Sequence, residues 1–384
     1  SLRAVSDERS TMNGDNPVMS KRTVSKGVIS VGTWTLVKIV VSALATPVLA
    51  RILGAEGYGE YAYYVAVMML AAPIANLGTS QSITKFVAQQ PDDCVLHSKI
   101  ALLAGRTNLL ATTTVCGLLF AFLLIGSEPK QSPLTIAIIV VVSIALEQIW
   151  YLGKGILYGL RREELATLPA ILSAVISPIL GIILAIMGWG VFGVMAGMLV
   201  ANLVSALLTI TYVNRFVDWS VSDGKMVASG NIFWFGVHSM LFTALAMALY
   251  KMNIILARTL ASNADAGIYA AAVQWTEFTW LIPIAIEGVM LQTTSHLWAE
   301  QRISEIAGLL ARLLRYTALA TGFLLLFVFV FADHILLLYF GPRFVDASTS
   351  LRILIPGVFS FSLAKVVWPV IQARGSVLRL VTII

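Results

Sequence analysis

The sequence predicts an all-α integral membrane protein with about ten transmembrane helices, and three observations support this. Hydrophobic residues make up 58% of the 384 residues, and charged residues only 12%, about half the charged fraction of a soluble domain. Several long stretches carry no charge, among them those from Glu60 to Lys85 and from Lys225 to Lys251. These stretches are apolar on all sides, whereas strands of a membrane β-barrel would alternate with a period of two.

Each predicted span has the length of about 20 residues that a bilayer core requires. The predicted spans are about 27–50, 59–80, 98–126, 133–157, 166–187, 190–213, 231–257, 267–290, 313–337 and 347–371. The uncharged stretch between Glu164 and Arg215 is long enough for two spans, and Met187-Gly188-Trp189-Gly190 supplies the turn between them. The pairs Gly155/Gly159 and Gly193/Gly197 are four residues apart, which predicts close helix packing.

The distribution of Lys and Arg predicts the orientation, because cytoplasmic loops carry an excess of these residues. With the N-terminus in the cytoplasm, 18 of the 26 lie in inner segments or at inner helix ends, Lys154 among them. The outer loops then hold four, Arg51, Lys130, Arg258 and Arg343, and four more lie inside predicted spans. We therefore expect a multi-pass protein of the cell inner membrane with a cytoplasmic N-terminus. Its net charge of +6 then reflects loops facing anionic lipid, without nucleic acid as a partner.

A weak internal duplication is the most informative pattern. Four short motifs recur at offsets between 207 and 210 residues: Ala50-Arg51-Ile52-Leu53 as Ala257-Arg258-Thr259-Leu260, Gly59-Glu60-Tyr61-Ala62 as Gly267-Ile268-Tyr269-Ala270, Pro73-Ile74-Ala75 as Pro283-Ile284-Ala285, and Arg106 with Leu110-Ala111-Thr112 as Arg315 with Leu319-Ala320-Thr321. The period contains six helices, so both copies cross the membrane in the same direction. Parallel repeats of this kind predict two similar bundles with a substrate cleft between them.

The repeat predicts the domain organisation. We expect a disordered cytoplasmic tail at 1–26, an N-terminal six-helix bundle at 27–213, a cytoplasmic linker at 214–230 and a C-terminal bundle at 231–384. The second copy contains four of its six helices before the sequence ends. The C-terminal bundle is therefore expected to be incomplete, with twelve or more helices in the complete chain.

Residues 49–59 read Leu-Ala-Arg-Ile-Leu-Gly-Ala-Glu-Gly-Tyr-Gly. This segment resembles the ARxLGxxxYG signature that follows the first span in the polysaccharide transporter, or oligosaccharide flippase, family of the multidrug/oligosaccharidyl-lipid/polysaccharide exporter superfamily. The similarity continues to Lys85-Phe86-Val87 and returns at Gly267-Ile268-Tyr269-Ala270. The chain departs from the family pattern in lacking the last two helices and in having Asn253 where many members carry an acid, which leaves the coupling ion open.

The resemblance implies a function and partners. A protein of this family is expected to move a polyprenyl-(pyro)phosphate-linked oligosaccharide from the inner to the outer leaflet by alternating access, for surface polysaccharide or glycan assembly. Its expected partners are membrane lipid, this lipid-linked oligosaccharide, and glycosyltransferases or a polymerase of the same pathway.

Polar residues inside the predicted spans are candidates for the cleft, since a charge at bilayer depth is costly and usually faces a cavity. Lys38 lies about 18 Å into the first span at 1.5 Å per residue, and we expect it to alternate between Glu277 and the substrate pyrophosphate. The candidate cavity residues are Lys38, Arg51, Asn76, Lys251, Arg258, Gln274, Glu277 and Lys365.

A structural explanation exists for each charged candidate. Lys38 and Glu277 could each form a buried ion pair. Lys251 and Lys365 could extend their charged ends towards the membrane surface. Arg51 and Arg258 could anchor helix ends at the head-group level. Arg51 and Arg258 also suit reception of phosphate on release, because guanidinium binds phosphate bidentately. We expect Glu147 and Gln148 to be packing partners between helices.

The residue pattern contains no catalytic motif. The sequence has no metal-spaced His, Cys and carboxylate cluster, no glycine-rich phosphate loop and no nucleophile elbow, so we predict a transporter without enzymatic activity, metal or cofactor. A drug or cation antiporter of the same superfamily is the alternative, but its cavity should be rich in carboxylates, whereas lysines outnumber deep acids here. A membrane glycosyltransferase should carry a large outer loop, and a scaffold has no need of buried charges.

Overall fold

The computed structural model describes residues 21–89, 94–125, 133–217, 229–280 and 300–373, with isolated positions between 282 and 298. These residues are helices and short connections, without a strand. Most of the predicted tail at 1–26, most of the predicted linker at 214–230 and the last residues of the predicted C-terminal bundle lie outside the described residues. Glu287, which belongs to the predicted eighth span, also lies outside them.

Ten α-helices carry the described part of the fold. In chain order they are α1 (Lys21–Asn76), α2 (Thr79–Gln89), α3 (Cys94–Ile125), α4 (Pro133–Gly159), α5 (Glu163–Leu184), α6 (Gly190–Val213), α7 (Ser229–Leu260), α8 (Asn263–Thr279), α9 (Ile303–Tyr339) and α10 (Ala347–Ala373). A π-helical turn, Ala185–Trp189, joins α5 to α6, and a 3-10 turn, Pro342–Phe344, precedes α10.

Glycines form two of the sharp turns. Helix α1 breaks at Gly54, where φ is 68° and ψ is 179°, so a first arm (21–53) and a second arm (55–76) cross the membrane in opposite directions. The predicted turn at 187–190 is confirmed, because Gly188 has φ of 93° and Gly190 has φ of 51°. Glycine adopts positive φ without the penalty that a side chain brings. We call the side with these turns the Gly54 face, and the opposite side, where α1 ends before α2, the Gly78 face.

Seven stretches of the described residues are long and apolar enough to cross a membrane. They are Leu36–Asn76, Val95–Ile125, Leu134–Gly159, Glu163–Val213, Ile232–Leu260, Ile303–Tyr339 and Ala347–Ile371. The first and fourth each double back at the turns described above. The protein is therefore a multi-pass helical membrane protein. The predicted total of about ten spans is not established, because the predicted span at 267–290 is described continuously only to residue 280.

Small residues bring the helices of the N-terminal half into close contact, as predicted. A Cβ built on Gly155 would lie 2.7 Å from the Ser80 carbonyl oxygen, and one on Gly197 would lie 2.6 Å from the Gly181 nitrogen. These distances are far shorter than ordinary van der Waals contact. Helix α4 thus packs directly on α2, and α6 packs directly on α5.

The two halves of the chain touch at both membrane faces. Near the Gly54 face, the second arm of α1 crosses α8 at Gly59 and Gly267, whose backbones are in contact. At the Gly78 face, Gly78 lies against the backbone of Gly236 in α7. An apolar cluster at the Gly54 face contains Tyr58 together with residues of α8, α9 and α10. Side chains of the two halves therefore pack together and close the cleft at that face.

Candidate functional site

A cavity of about 630 Å³ lies between the halves of the chain. Both arms of α1 and helices α4, α5, α6, α7 and α8 line it. Five lysine and glutamate residues line its wall, namely Lys38, Glu147, Lys154, Lys251 and Glu277. Three lysines and two glutamates give these five groups a formal net charge of +1.

On the side of the C-terminal half, Lys251 and Glu277 form an ion pair. The Lys251 Nζ lies 2.5 Å from the Glu277 Oε1, and both side chains are largely buried. The sequence analysis proposed both residues as cleft candidates, and both line the cavity. It named Lys38 as the partner of Glu277, whereas the structure pairs Glu277 with Lys251. Because α7 and α8 follow one another and pack together, the lysine on α7 reaches Glu277. Gln274, one turn before Glu277, also lines the cavity.

On the side of the N-terminal half, charged residues of α1 and α4 face the cavity. Lys38 comes from the first arm of α1 and interacts electrostatically with Glu147 and with Lys154. Glu147 is also hydrogen-bonded to Tyr151, one turn further along α4. The Lys154 Nζ lies 5.2 Å from the ring centre of Trp150. Lys154 is thus a second lysine near Lys38.

Lys154 and Glu147 were not identified as cavity residues from the sequence. Lys154 was counted among the residues at inner helix ends, and Glu147 was expected to be a packing partner. The signal was present, because residues 147, 151 and 154 have the spacing that places them on one helix face. The packing prediction is confirmed for Gln148, which donates to the Ala72 carbonyl oxygen at 3.2 Å.

Arg51 and Arg258 lie outside the lining of this cavity, where they hold helix ends. Arg51 donates a hydrogen bond to the Leu338 carbonyl oxygen in the last turn of α9, where carbonyl groups lack helical partners. The Arg258 Nε donates to the Asn263 Oδ1 at 2.7 Å, and its guanidinium lies 3.8 Å from the ring centre of Tyr63. These contacts match the predicted structural alternative, that of anchors at helix ends.

Asn76 and Lys365 also lie outside the cavity lining. The Asn76 Nδ2 donates to the Gln148 Oε1 at 3.2 Å, and its Oδ1 accepts from the Ser80 nitrogen at 3.2 Å, so it ties α1 to α2 and α4. Lys365 on α10 is 8% exposed. Its Nζ lies 5.5 to 5.9 Å from four aromatic ring centres, those of Tyr250, Trp280, Phe361 and Trp368. Such cation–π contacts compensate for the burial of a lysine.

Neutral polar residues of α5 and α6 form another part of the cavity wall. Ser173 and Ser177 come from α5, and Asn202 and Ser205 come from α6. The Ser173 Oγ lies 3.3 Å from the Asn202 Oδ1, and the Asn202 Nδ2 donates to the Ser143 carbonyl oxygen at 3.4 Å. The sequence pattern gave no reason to select these residues, because single Ser and Asn residues are common in membrane helices.

The cavity is closed towards the Gly54 face. Tyr58 lines the cavity, and its ring packs edge-on against Phe344 with centroids 5.8 Å apart. Behind this layer, the Tyr339 hydroxyl donates to the Ala43 carbonyl oxygen at 2.6 Å. The hydrogen bond joins the first arm of α1 to the end of α9, and the ring contact joins the second arm to the 3-10 turn. Opening this face requires both contacts to break.

Among the described residues, no group of three or more His, Cys, Asp or Glu side chains is arranged to hold a metal ion.

Comparison with solved structures identifies the fold. The chain is similar to a multidrug resistance MATE family transporter of the MOP superfamily in its inward-facing conformation, with a TM-score of 0.72 and 17% identity over 90% of this chain and 83% of that one. The outward-facing conformation of such a transporter matches with a TM-score of 0.65 and 16% identity over 96% and 87% of the two chains.

A third solved structure is a MOP superfamily transporter from Pyrococcus furiosus, described as having a binding pocket of reversed polarity that suggests a different function. It matches with a TM-score of 0.57 and 15% identity over 91% of this chain and 84% of that one. No curated protein sequence matches the chain significantly.

The family assignment comes from the sequence itself. The family model described as polysaccharide biosynthesis protein matches residues 24–285, which is more than half of the chain. This match confirms the resemblance in the signature at residues 49–59. The chain thus belongs to the polysaccharide biosynthesis protein family and has the fold of the MOP superfamily transporters.

Proposed function

We propose that this protein moves a polyprenyl-(pyro)phosphate-linked oligosaccharide from the inner to the outer leaflet of the cell inner membrane by alternating access. The product would serve surface polysaccharide or glycan assembly. The family supports the link to polysaccharide biosynthesis. The observation that carries the proposal is the cavity between the halves, with its excess of lysine over glutamate.

The charges of the cavity suit an anionic head group. Glu277 is paired with Lys251 at 2.5 Å, which leaves Lys38, Lys154 and Glu147 as a group with a net positive charge beside the pair. Charge pairing strengthens as the local dielectric falls, so lysines in the membrane interior offset part of the desolvation cost of a pyrophosphate. The volume of about 630 Å³ suits a head group with a sugar, while the prenyl tail stays in lipid.

The arrangement of the halves supports alternating access. The Gly54 face is closed by Tyr58, Phe340 and Phe344. The excess of Lys and Arg in the segments of the Gly78 face supports a cytoplasmic position for that face. Loading would then occur from the cytoplasm, and release would follow when the contacts at the Gly54 face separate.

Deletion of the gene in its host tests the proposal. Lipid-linked oligosaccharide should accumulate on the cytoplasmic leaflet, and expression of the wild-type chain should remove the accumulation. The measurement is leaflet-resolved labelling of the lipid-linked glycan with a membrane-impermeant reagent. Normal outward movement in a deletion strain without a redundant flippase would contradict the proposal, and loss of organic cation efflux instead would favour the antiporter.

A further inference from the structure

The wall of the cavity that α5 and α6 form is free of charge, in contrast to the rest of the site. No Asp, Glu, Lys or Arg occurs between Glu164 and Arg215. The polar side chains that this wall presents are those of Ser173, Ser177, Asn202 and Ser205. The charged side chains come from α1, α4, α7 and α8. The cavity therefore has two chemically different parts, one ionic and one with neutral hydrogen-bonding groups.

The neutral part retains unused hydrogen-bonding capacity. In membrane helices a serine or threonine hydroxyl commonly bonds to the carbonyl oxygen one turn earlier, as Thr209 does to Ser205 at 2.7 Å. The hydroxyl of Ser177 and those of Ser42 and Thr46 on α1 make no such bond and no bond to another described side chain, although all three line the cavity. These groups are available to a ligand.

Helix α4, which carries Glu147 and Lys154, also contributes an aromatic surface to the cavity. Trp150 donates its indole N–H to the Ala166 carbonyl oxygen at 3.2 Å, so its hydrogen-bonding capacity is used and its ring is fixed. Tyr151 lies beside it, with ring centres 5.0 Å apart. Together these residues add aromatic surface to the cavity that the hydroxyl and amide groups of α5 and α6 also line.

This combination favours a sugar over other ligands. A pyranose presents hydroxyl groups around its edge and C–H groups on its faces, which match hydroxyls and an aromatic surface. A lipophilic cation would leave Ser177 and its neighbours desolvated without hydrogen-bond partners, which is unfavourable. A phosphate would bind the lysines, because hydrogen bonds between charged groups are roughly twice as strong as neutral ones.

We propose that Ser173, Ser177 and Asn202 bind the sugar that is attached directly to the pyrophosphate, while Lys38 and Lys154 bind the pyrophosphate itself. The contact of 3.3 Å between Ser173 and Asn202 fixes both side chains before the ligand arrives. This inference rests on the proposed function and adds to it a residue set that recognises the first sugar. Substitutions in this set alter sugar selectivity, whereas substitutions of the lysines weaken binding of every pyrophosphate ligand.

Binding to the full chain in lipid nanodiscs tests the inference with three probes that share one tail. They are farnesyl pyrophosphate, its glucose conjugate and its N-acetylglucosamine conjugate. The wild-type chain is expected to bind at least one conjugate about tenfold more tightly than farnesyl pyrophosphate, the equivalent of about 1.4 kcal/mol. Ser177→Ala is expected to reduce that preference several-fold, and Ser177→Leu, which also fills space, is expected to abolish it.

The control is Ser360→Leu on α10. Ser360 is exposed, its hydroxyl bonds only to the Pro356 carbonyl oxygen of its own helix at 3.1 Å, and it is not part of the cavity lining. This variant is expected to keep both the wild-type preference and the wild-type affinity for farnesyl pyrophosphate. Ser177→Leu is expected to weaken binding of the sugar conjugates far more than binding of farnesyl pyrophosphate.

Three results overturn the inference, and they differ in what they say about the proposed function. If farnesyl pyrophosphate binds as tightly as both conjugates, or if Ser177→Leu weakens all three probes equally, the sugar subsite is wrong and the flippase proposal stands. If none of the three probes binds to the wild-type chain, both proposals are wrong.

Discussion

Gly59 and Gly267 occupy equivalent positions of the two sequence repeats and lie against one another. A Cβ built on Gly59 would lie 1.8 Å from the Asn263 carbonyl oxygen, and one on Gly267 would lie 2.0 Å from the Ala55 carbonyl oxygen. Gly267 follows Gly59 by 208 residues, and Asn263 follows Ala55 by the same number. Gly59 therefore contacts Asn263, and Gly267 contacts Ala55, which is the repeat equivalent of Asn263. This is the contact expected on a two-fold axis between parallel repeats.

The first prediction concerns this contact. Gly59→Ala should force the second arm of α1 away from α8, because backbone atoms cannot yield as a flexible side chain can. Overpacking of this kind costs about 1–3 kcal/mol, so the melting temperature in detergent should fall by several degrees. The matched control is Gly117→Ala on α3, where nothing lies within 4 Å of the added Cβ. Equal melting temperatures for the two variants would contradict the proposed contact.

The second prediction concerns Lys251 and Glu277. Removing one partner leaves the other charge without its ion pair at 2.5 Å, so Lys251→Met should be less stable than wild type by about 1–3 kcal/mol. This is less than the cost of breaking a fully buried pair, because the pair faces the cavity. The double variant Lys251→Met, Glu277→Gln should regain most of that stability. A double variant as unstable as the single one would show that the pair is not coupled.

The third prediction concerns Lys38. Lys38→Ala should abolish flipping with little loss of folded protein, and Lys38→Arg should retain part of the activity, because the positive charge at the cavity is kept. Expression and transport are measured on the same preparations. If Lys38 instead only neutralises Glu147, Lys38→Ala should be degraded, and a second substitution, Glu147→Gln, should restore both folding and transport. Full activity of Lys38→Ala would exclude a role in binding.

The fourth prediction separates Arg51 from the substrate. Because Arg51 donates to the Leu338 carbonyl oxygen at the end of α9, Arg51→Gln should destabilise the closed Gly54 face. The accessibility of a cysteine introduced at the end of α9 should rise in this variant. The affinity of this variant for farnesyl pyrophosphate should stay within about twofold of the wild-type affinity. Loss of a direct contact with the ligand would instead lower the affinity about tenfold, which corresponds to about 1.4 kcal/mol. A large loss of affinity with unchanged accessibility would assign Arg51 to ligand binding.

The sequence predicted those features that depend on local spacing. The absence of charge between Glu164 and Arg215 and the paired glycines at 188 and 190 were enough to place two spans and their turn. The offset of about 208 residues was enough to pair Gly59 with Gly267 as equivalents. Local spacing also supported Lys251 and Glu277 as cleft residues, since a charged side chain in a long apolar helix has few favourable environments.

Features that depend on how helices face each other were not predictable in the same way. The partner of Glu277 was assigned wrongly, because depth along a helix does not say which neighbour a side chain faces. Lys154 was assigned to a helix end, although it reaches the cavity from α4. Arg51 and Arg258 share a repeat position but make different contacts, because their neighbours in the two halves differ.

The central claim is that the protein moves a pyrophosphate-linked glycan across the membrane while the lysines of the cavity bind the pyrophosphate. The transport rate in proteoliposomes tests this claim most directly. Purified chain is reconstituted with a fluorescent prenyl pyrophosphate-linked oligosaccharide, and an impermeant quencher reports the fraction that reaches the opposite leaflet. We predict rapid exchange with wild type and a loss of about tenfold or more with Lys154→Met, the cost of about 1.4 kcal/mol in the rate-limiting barrier. Lys85→Met, an exposed lysine whose Nζ lies 4.0 Å from the Phe235 ring centre outside the cavity lining, should transport normally. Transport by wild type no faster than in empty liposomes, or full transport by Lys154→Met, would contradict the claim.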